Sequence, residues 1–274
     1  MDIAIILAII LIFATAFMFS PLGLGGGVLY VPILLYLVGW DIHLSLLGSL
    51  ILVLMVSLGS RMAHSKGGYA IMEIGKLGIA PALFGAIIGT IMSAYLIQYF
   101  GDLVIKMGAS ILLLWVIIRT MRQLVGENHG KEKDGLEPRE IKGLILNKYM
   151  GLCLAGGVTS GALGIGGGML FVTFHRSLFS WKPHYAAGTS YIIETWMIPV
   201  GIVAHLMIDG TGPELLETMG IWIFIMALSV FSISWVGART AIKLVPQKLL
   251  TYPFLIAITA SLARYCLDIW QQLH

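Results

Sequence analysis

Six long apolar segments constrain the fold of this chain more than any other feature of its sequence. They lie at about 44–64, 75–98, 103–120, 184–206, 219–238 and 250–270. A helix that crosses a bilayer needs about 20 apolar residues, because hydrocarbon tolerates only backbone whose polar groups bond internally. Only 11% of the residues are charged, whereas soluble domains carry about 25%. The segments therefore predict an all-α polytopic membrane protein without a separate soluble domain.

A glycine-rich stretch occurs twice in the chain. PLGLGGGVLYVPIL at 21–34 aligns with ALGIGGGMLFVTFH at 162–175, at an offset of 141, with seven identities in fourteen positions. Since a shared apolar bias does not produce matched tryptophans and histidines, the further pairs at this offset indicate two related halves. These pairs are Trp40 with Trp181, His43 with His184, Ser49 with Ser190, and His64 with His205.

The repeat divides the chain into three parts. We expect an N-terminal transmembrane repeat at 1–121, a charged cytoplasmic linker at 122–148 and a C-terminal transmembrane repeat at 149–274. Internal repeats of this kind are typical of secondary transporters.

The segments around the glycines are too short to cross a bilayer. Residues 28–38 and 169–179 each span eleven residues, about 16 Å as helix. The segment that leads into the second motif, 149–160, is equally short, whereas 3–19 is nearly long enough to cross. Each glycine motif is therefore expected at the tip of a broken, re-entrant helical hairpin, followed by three transmembrane helices.

The distribution of basic residues orients these hairpins. With the linker on the cytoplasmic side, fifteen of the 17 lysines and arginines fall in cytoplasmic loops, as the positive-inside rule requires. This threading holds only if the first hairpin enters from outside and the second from inside. The two repeats are then expected to have inverted topology, each with one hairpin and three spanning helices.

The glycines have a chemical interpretation as an anion site. A short helix that begins near the bilayer centre presents free N–H groups and the positive end of its dipole there. Glycine lets a ligand approach that backbone closely. The expected substrate-binding glycines are Gly25, Gly26, Gly27, Gly166, Gly167 and Gly168. The alternative is that these small residues serve only close helix packing.

Polar residues on the helix that follows each motif complete the candidate site. The hydroxyls of Ser49, Thr189 and Ser190 could bind the oxygens of an oxyanion, or else bond their own helix carbonyls. Glu194 lies in the middle of a predicted span, where an acid is functional by default. We expect Glu194 to carry a coupled proton, the alternative being a protonated carboxyl that ties helices together.

Two equivalent histidines, His64 and His205, are expected near opposite membrane surfaces. They are candidates for gate or proton-relay groups, although interfacial anchoring is the simpler interpretation, as it is for His43 and His184. No cluster of histidine, cysteine and acidic residues has metal-ligand spacing, so neither a metal nor another cofactor is expected. The net charge of +3 comes mostly from loop residues and does not indicate nucleic-acid binding.

The doubled motif, in LGLGGGVLYVP and LGIGGGMLFVT, together with Gly-Thr-Ser in AAGTSYI, resembles the TauE/SafE family of sulfite exporters. The resemblance spans both halves. It implies a multi-pass transporter in a bacterial or archaeal inner membrane that carries sulfite or an organosulfonate. Two positions depart from the pattern, since Thr173 replaces the second proline and Leu47-Gly48-Ser49 replaces Gly-Thr-Ser in the first half.

Two other functions remain as alternatives. An anion channel would need a continuous pore, which two hairpins at the midplane tend to block. An intramembrane hydrolase would use Ser160 with His205, but these residues are expected far apart. The expected partners are a sulfur oxyanion, protons and the lipid bilayer. The sequence leaves open which anion is carried, in which direction, with which coupling ion and in which oligomeric state.

Overall fold

The computed structural model of the chain describes residues 3–126, 135–244 and 247–273, and these residues form helices and no strand. The first half comprises α1 (Ile3–Phe19), a 3₁₀ turn (Ser20–Leu22), α2 (Gly27–Ile33) with a π turn (Leu34–Val38), α3 (Ile42–Lys66), α4 (Met72–Phe100) and α5 (Leu103–Gly126). The second comprises a 3₁₀ turn (Pro138–Glu140), α6 (Leu144–Leu163), α7 (Gly168–Phe179), α8 (Pro183–Ile208), α9 (Gly212–Met219), α10 (Trp222–Leu244) and α11 (Gln247–Leu273).

Seven of the described helical segments are long and apolar enough to cross a membrane. Six of them are the predicted spans, in α3, α4, α5, α8, α10 and α11, so the polytopic all-α class is confirmed. The seventh is Ile3–Leu22, in which a 3₁₀ turn extends α1 to 20 residues. The N-terminal segment is therefore long enough to cross.

The expectation of a short segment before the second glycine motif was wrong. α6 runs through 20 residues, about 30 Å, and begins well before Tyr149. Asn147 and Lys148 interrupt the apolar pattern near its start, which is why hydropathy alone placed the helix boundary too late.

Each short helix packs back along the longer helix before it. α2 and its π turn contact α1, and α7 contacts α6, so both glycine motifs lie at the bends of helical hairpins. Three glycines of each bend have positive φ, at equivalent positions: Gly23, Gly25 and Gly26 in the first, and Gly164, Gly166 and Gly167 in the second. Side chains rarely adopt this conformation, so the bends require glycine.

Equivalent helices of the two halves make equivalent contacts with the opposite half. α3 packs on α10, and its counterpart α8 packs on α4, while α3 and α8 contact each other, as do α5 and α11. In the second half, α9 and α10 together correspond to α4, with a break at Gly220, whose φ is +51°.

Equivalent helices of the two halves run antiparallel. His43 at the start of α3 lies 3.2 Å from Asp209 just beyond α8, whereas the ring of His64 near the end of α3 lies 5.5 Å from that of Tyr191, early in α8. Lys106, near the start of α5, likewise pairs with an aspartate near the end of α11. This antiparallel arrangement is the one that an inverted repeat requires.

Two of the lysines and arginines, Lys106 and Arg264, were not assigned to cytoplasmic loops, and both have acidic or aromatic neighbours. Lys106 pairs with Asp102 and Asp268 although it is only 4% exposed. The guanidinium of Arg264 lies 4.5 Å from the ring centre of Tyr36, whose hydroxyl donates to Asp268. Neutralised cations of this kind do not oppose the positive-inside assignment.

The closest contact between the halves joins α4 and α6 through small residues. Methyl groups built on Gly85 and Gly89 would lie 2.2 and 2.1 Å from carbonyl oxygens of α6, and one on Gly161 would lie 2.1 Å from that of Ala86. Both helices carry glycines four residues apart on this face, which lets their backbones touch.

Part of the expected linker, 127–134, lies outside the described residues. Its later portion docks on the end of α7. The N–H of Leu136 donates to the carbonyl of Phe179, and the indole N–H of Trp181 donates to the carbonyl of Leu136 at 2.8 Å.

Candidate functional site

The two glycine bends meet inside the protein. A methyl group built on Gly27 would lie 2.2 Å from the carbonyl oxygen of Ile165 in the second bend. One built on Gly168 would lie 2.7 Å from the carbonyl oxygen of Gly23 in the first. The two bends therefore converge, and nothing larger than hydrogen fits at either position.

The short helices begin at these bends with free donors. The carbonyl of Gly26 accepts from Leu29 and Tyr30, and that of Gly167 accepts from Leu170 and Phe171. The N–H groups that precede these donors, at residues 27–28 and 168–169, therefore have no partner within their helices. Both helix N-termini lie in buried backbone at the contact between the halves.

Glu194 lies between the two bends and is 0% exposed. Its Oε2 accepts a hydrogen bond of 2.7 Å from Ser57 and lies 3.3 Å from a methyl group built on Gly25. Its Oε1 has no hydrogen-bond partner and lies 2.6 Å from a methyl group built on Gly168. An acid that the sequence could only locate in a span therefore touches both glycine bends.

The three candidate hydroxyls differ in their partners. Ser49 Oγ donates to the carbonyl of Gly164 at 2.7 Å, so it bonds directly to the second bend. Ser190 Oγ donates within its own helix to Ala187, whereas Thr189 Oγ1 accepts from the N–H of Ile71, at the start of α4. Anion binding by these three residues stays a prediction.

His64 and His205 are fully buried, so the interpretation as interfacial anchors was wrong for both. They lie at opposite ends of the α3–α8 pair, as expected. His64 Nδ1 lies 2.9 Å from the carbonyl of Ser60, and its Nε2 has no partner. His205 Nε2 lies 2.9 Å from the carbonyl of Gly161, and its Nδ1 lies 2.6 Å from Asp209.

Ser160 and His205 were expected far apart, and this expectation was wrong. His205 contacts Gly161, the residue next to Ser160. Both ring nitrogens of His205 nonetheless have other partners, so neither accepts a proton from that serine.

Several buried polar contacts of this region were missed in the sequence. Tyr191 Oη donates to the carbonyl of Ser20 at 2.7 Å, and Arg61 donates to Thr195, the neighbour of Glu194, at 2.6 Å. Ser57 was missed too, although it lies two turns after Ser49 on the same face of α3. The stripe formed by Ser49, Ser57, Ser60 and His64 was the available signal.

A further cluster joins the halves beyond the end of α8. Asp209 Oδ2 lies 2.6 Å from His205 Nδ1 and 3.2 Å from His43 Nδ1. Burial raises the pKa of Asp209, but hydrogen bonds from His205 and His43 outweigh it and lower the pKa to about 2. The carboxylate is thus held ionised between one histidine of each repeat.

Replacing Asp209 with asparagine should destabilise the protein by about 1–3 kcal/mol at neutral pH. Because the folded-state pKa is depressed, this stabilisation is complete above about pH 5 and is lost as the pH falls toward the folded-state value. The difference in melting temperature between wild type and Asp209→Asn should therefore shrink on acidification. Glu217→Gln, on the exposed face of α9, is the control and should melt as the wild type does. Equal melting temperatures of the wild type and Asp209→Asn at neutral pH would contradict the stabilising role of Asp209.

No metal centre emerges within the described ranges, where no three histidine, cysteine or acidic residues lie close enough to hold an ion.

Seven long apolar helices and two halves joined at glycine bends define a polytopic α-helical membrane protein. The family model of the sulfite exporter TauE/SafE matches residues 7–265, so the chain belongs to the TauE/SafE family, whose members are transporters. The resemblance seen in the glycine motifs is thereby confirmed. No curated protein and no solved structure matched the chain.

Proposed function

We propose that the protein is a proton-coupled secondary transporter that exports a small sulfur oxyanion, sulfite or an organosulfonate. The observation that carries the proposal is the convergence of two helix N-termini, with free backbone donors, beside the buried carboxyl of Glu194. Helix N-termini favour anions, and a transporter's substrate site typically lies where broken helices of its repeats meet.

The binding site in this proposal is formed by backbone more than by side chains. The free N–H groups at the starts of α2 and α7 supply the donors, and Ser49, Ser190 and Thr189 add hydroxyls on the neighbouring helices. Close approach of an oxyanion to the backbone requires the glycines.

Alternating access would come from motion of the two halves about this site. The antiparallel pairs α3–α8 and α5–α11 support an inverted repeat, the architecture in which one half rocks against the other. His64 and His205, buried at opposite ends of α3 and α8, are candidates for the inner and outer gates in this scheme.

We also propose a cell-membrane location with the linker in the cytoplasm. The basic loops support this orientation, and the ion pairs of Lys106 remove one apparent exception to it.

A carrier is favoured over a channel because the bends are in direct contact. With Gly27 against Ile165 and Gly168 against Gly23, no room for an open pore remains between them. Counterflow distinguishes the two functions. Proteoliposomes preloaded with unlabelled sulfite should transiently accumulate labelled sulfite if the protein is a carrier, whereas simple equilibration without overshoot would indicate a channel.

A further inference from the structure

The carboxyl of Glu194 lies where an anion bound to α7 would lie. Its unpartnered Oε1 is 2.6 Å from a methyl group built on Gly168, the first residue of α7. α7 extends for 12 residues from this point, so its dipole and free N–H groups favour a negative charge there. The side chain is 0% exposed, and water therefore does not screen that charge.

The first half has no such group. The residue equivalent to Glu194 is Val53, which lies against both bends, 3.0 Å from a methyl group built on Gly25 and 2.3 Å from one built on Gly166. The two halves are thus alike in backbone and differ in charge at the same point. This asymmetry requires an explanation that packing of the bends alone does not provide.

Two negative charges cannot share one buried helix N-terminus at low cost. Two unit charges 4 Å apart repel by about 4 kcal/mol even at an effective dielectric constant of 20. Either the carboxylate or the anion can therefore be bound there, but a neutral, protonated Glu194 removes the repulsion.

On the basis of the proposed anion transport, we propose that ionised Glu194 is a built-in competitor of the substrate at the N-terminus of α7. The anion binds only after Glu194 takes up a proton. Binding of the anion and binding of the proton are then linked.

Within the part of the chain that the structure describes, no cation forms an ion pair with Glu194. Buried or partly buried titratable groups on the helices packed around it include Arg61 and His64 on α3, Tyr30 on α2, Tyr149 and Cys153 on α6, His175 on α7 and Tyr191 on α8 itself, whereas Glu73 and Lys76 of α4 are exposed. Arg61 bonds to Thr195, and His175 lies 3.1 Å from both Tyr149 Oη and the carbonyl of Ala186. Ser57 donates a hydrogen bond to Glu194, and its hydroxyl can serve either charge state, because it can donate to a carboxylate or accept from a carboxylic acid.

The test is calorimetric binding of methanesulfonate to the full-length protein in detergent between about pH 5 and 9. Methanesulfonate stays ionised over this range, so any pH dependence belongs to the protein. In the wild type, affinity should fall by about tenfold per pH unit once Glu194 ionises. Glu194→Gln should bind with an affinity independent of pH, and at least about tenfold more tightly than the wild type at the alkaline end.

A second readout needs no variant. In weakly buffered solution at alkaline pH, the wild type should take up about one proton for each anion bound. Glu73→Gln, an exposed acid of α4, is the matched control and should behave as the wild type does.

Three results would overturn the inference. Glu194→Gln could bind methanesulfonate with the pH dependence of the wild type, or lose binding that the wild type retains, or the wild type could bind without taking up protons. If wild type and variant bound neither methanesulfonate nor sulfite at any pH, the proposed anion transport itself would fail and the inference with it.

Discussion

Alanine at Gly27 or at Gly168 should reduce the initial rate of sulfite transport by about 100-fold, since displacement of a site by about 1 Å can cost that much. The new methyl group would lie 2.2 Å from the carbonyl oxygen of Ile165 in the first case and 2.7 Å from the carbonyl oxygen of Gly23 in the second. Both contacts are with groups that cannot swing away without moving a bend. The N–H groups proposed to bind the anion would therefore separate.

Gly108→Ala provides the control for these variants. Gly108 also lies in a helix of the transmembrane region, but its added methyl group would meet only a side-chain atom of Leu163, at an ordinary 3.5 Å. Its transport rate should stay within about twofold of the wild type. Rates are measured in proteoliposomes matched for folded protein by size-exclusion elution. Wild-type rates in both Gly27→Ala and Gly168→Ala would show that the bends are not the substrate site.

Alanine at Gly161 should destabilise the protein by about 1–3 kcal/mol, the usual cost of overpacking. Its methyl group would lie 2.1 Å from the carbonyl oxygen of Ala86, and α4 and α6 would have to move apart. The pair Gly85→Ala and Gly161→Ala should be less than additive, because the first separation of the helices also accommodates the second methyl group.

Gly151→Ala tests whether this effect comes from the contact rather than from α6 itself. Gly151 lies on the same helix, with nothing within 4 Å of its added methyl group. Alanine there should stabilise by about 0.5–1 kcal/mol, the advantage of alanine over glycine in a helix. Thermal unfolding in detergent gives the comparison. Equal melting temperatures for Gly151→Ala and Gly161→Ala would contradict the close crossing of α4 and α6.

Much of the architecture could be predicted from the sequence because two signals determine it: the length of the apolar runs and the internal repeat. Apolar runs of bilayer length identified six of the seven long helices, and the offset of 141 paired the halves. The N-terminal helix was more difficult, because a 3₁₀ turn at Ser20–Leu22 extends it past the point where the helical pattern ends. The start of α6 was obscured by Asn147 and Lys148, which lower its hydropathy without breaking the helix.

The contact between α4 and α6 had a signal that was missed. Gly85 and Gly89, and likewise Gly157 and Gly161, have the four-residue spacing that brings transmembrane helices together. What the sequence could not supply was the partnership of these two motifs, since nothing in a single sequence says which small-residue faces meet.

The candidate site was predicted only in part, because a single sequence likewise does not say which distant residues meet. The glycines and Glu194 stand out locally, because glycine clusters and acids are rare in apolar segments. The contact of Glu194 with Gly168, however, joins residues 26 positions apart on α8 and α7. The hydrogen bond between Glu194 and Ser57 joins the two halves. Only tertiary packing establishes those distances. The burial of His64 and His205 had the same origin, since the ring of His64 lies against Tyr191 of α8 and His205 Nε2 lies 2.9 Å from the carbonyl of Gly161 in α6.

Flux of radiolabelled sulfite into sealed proteoliposomes, with and without an imposed pH gradient, tests the central claim most directly. A proton-coupled anion carrier predicts a rate that saturates with sulfite concentration, rises with the gradient and exceeds that of Gly168→Ala vesicles. Flux no greater than in protein-free vesicles, from protein that elutes as a folded species, would contradict transport of sulfite through the glycine bends.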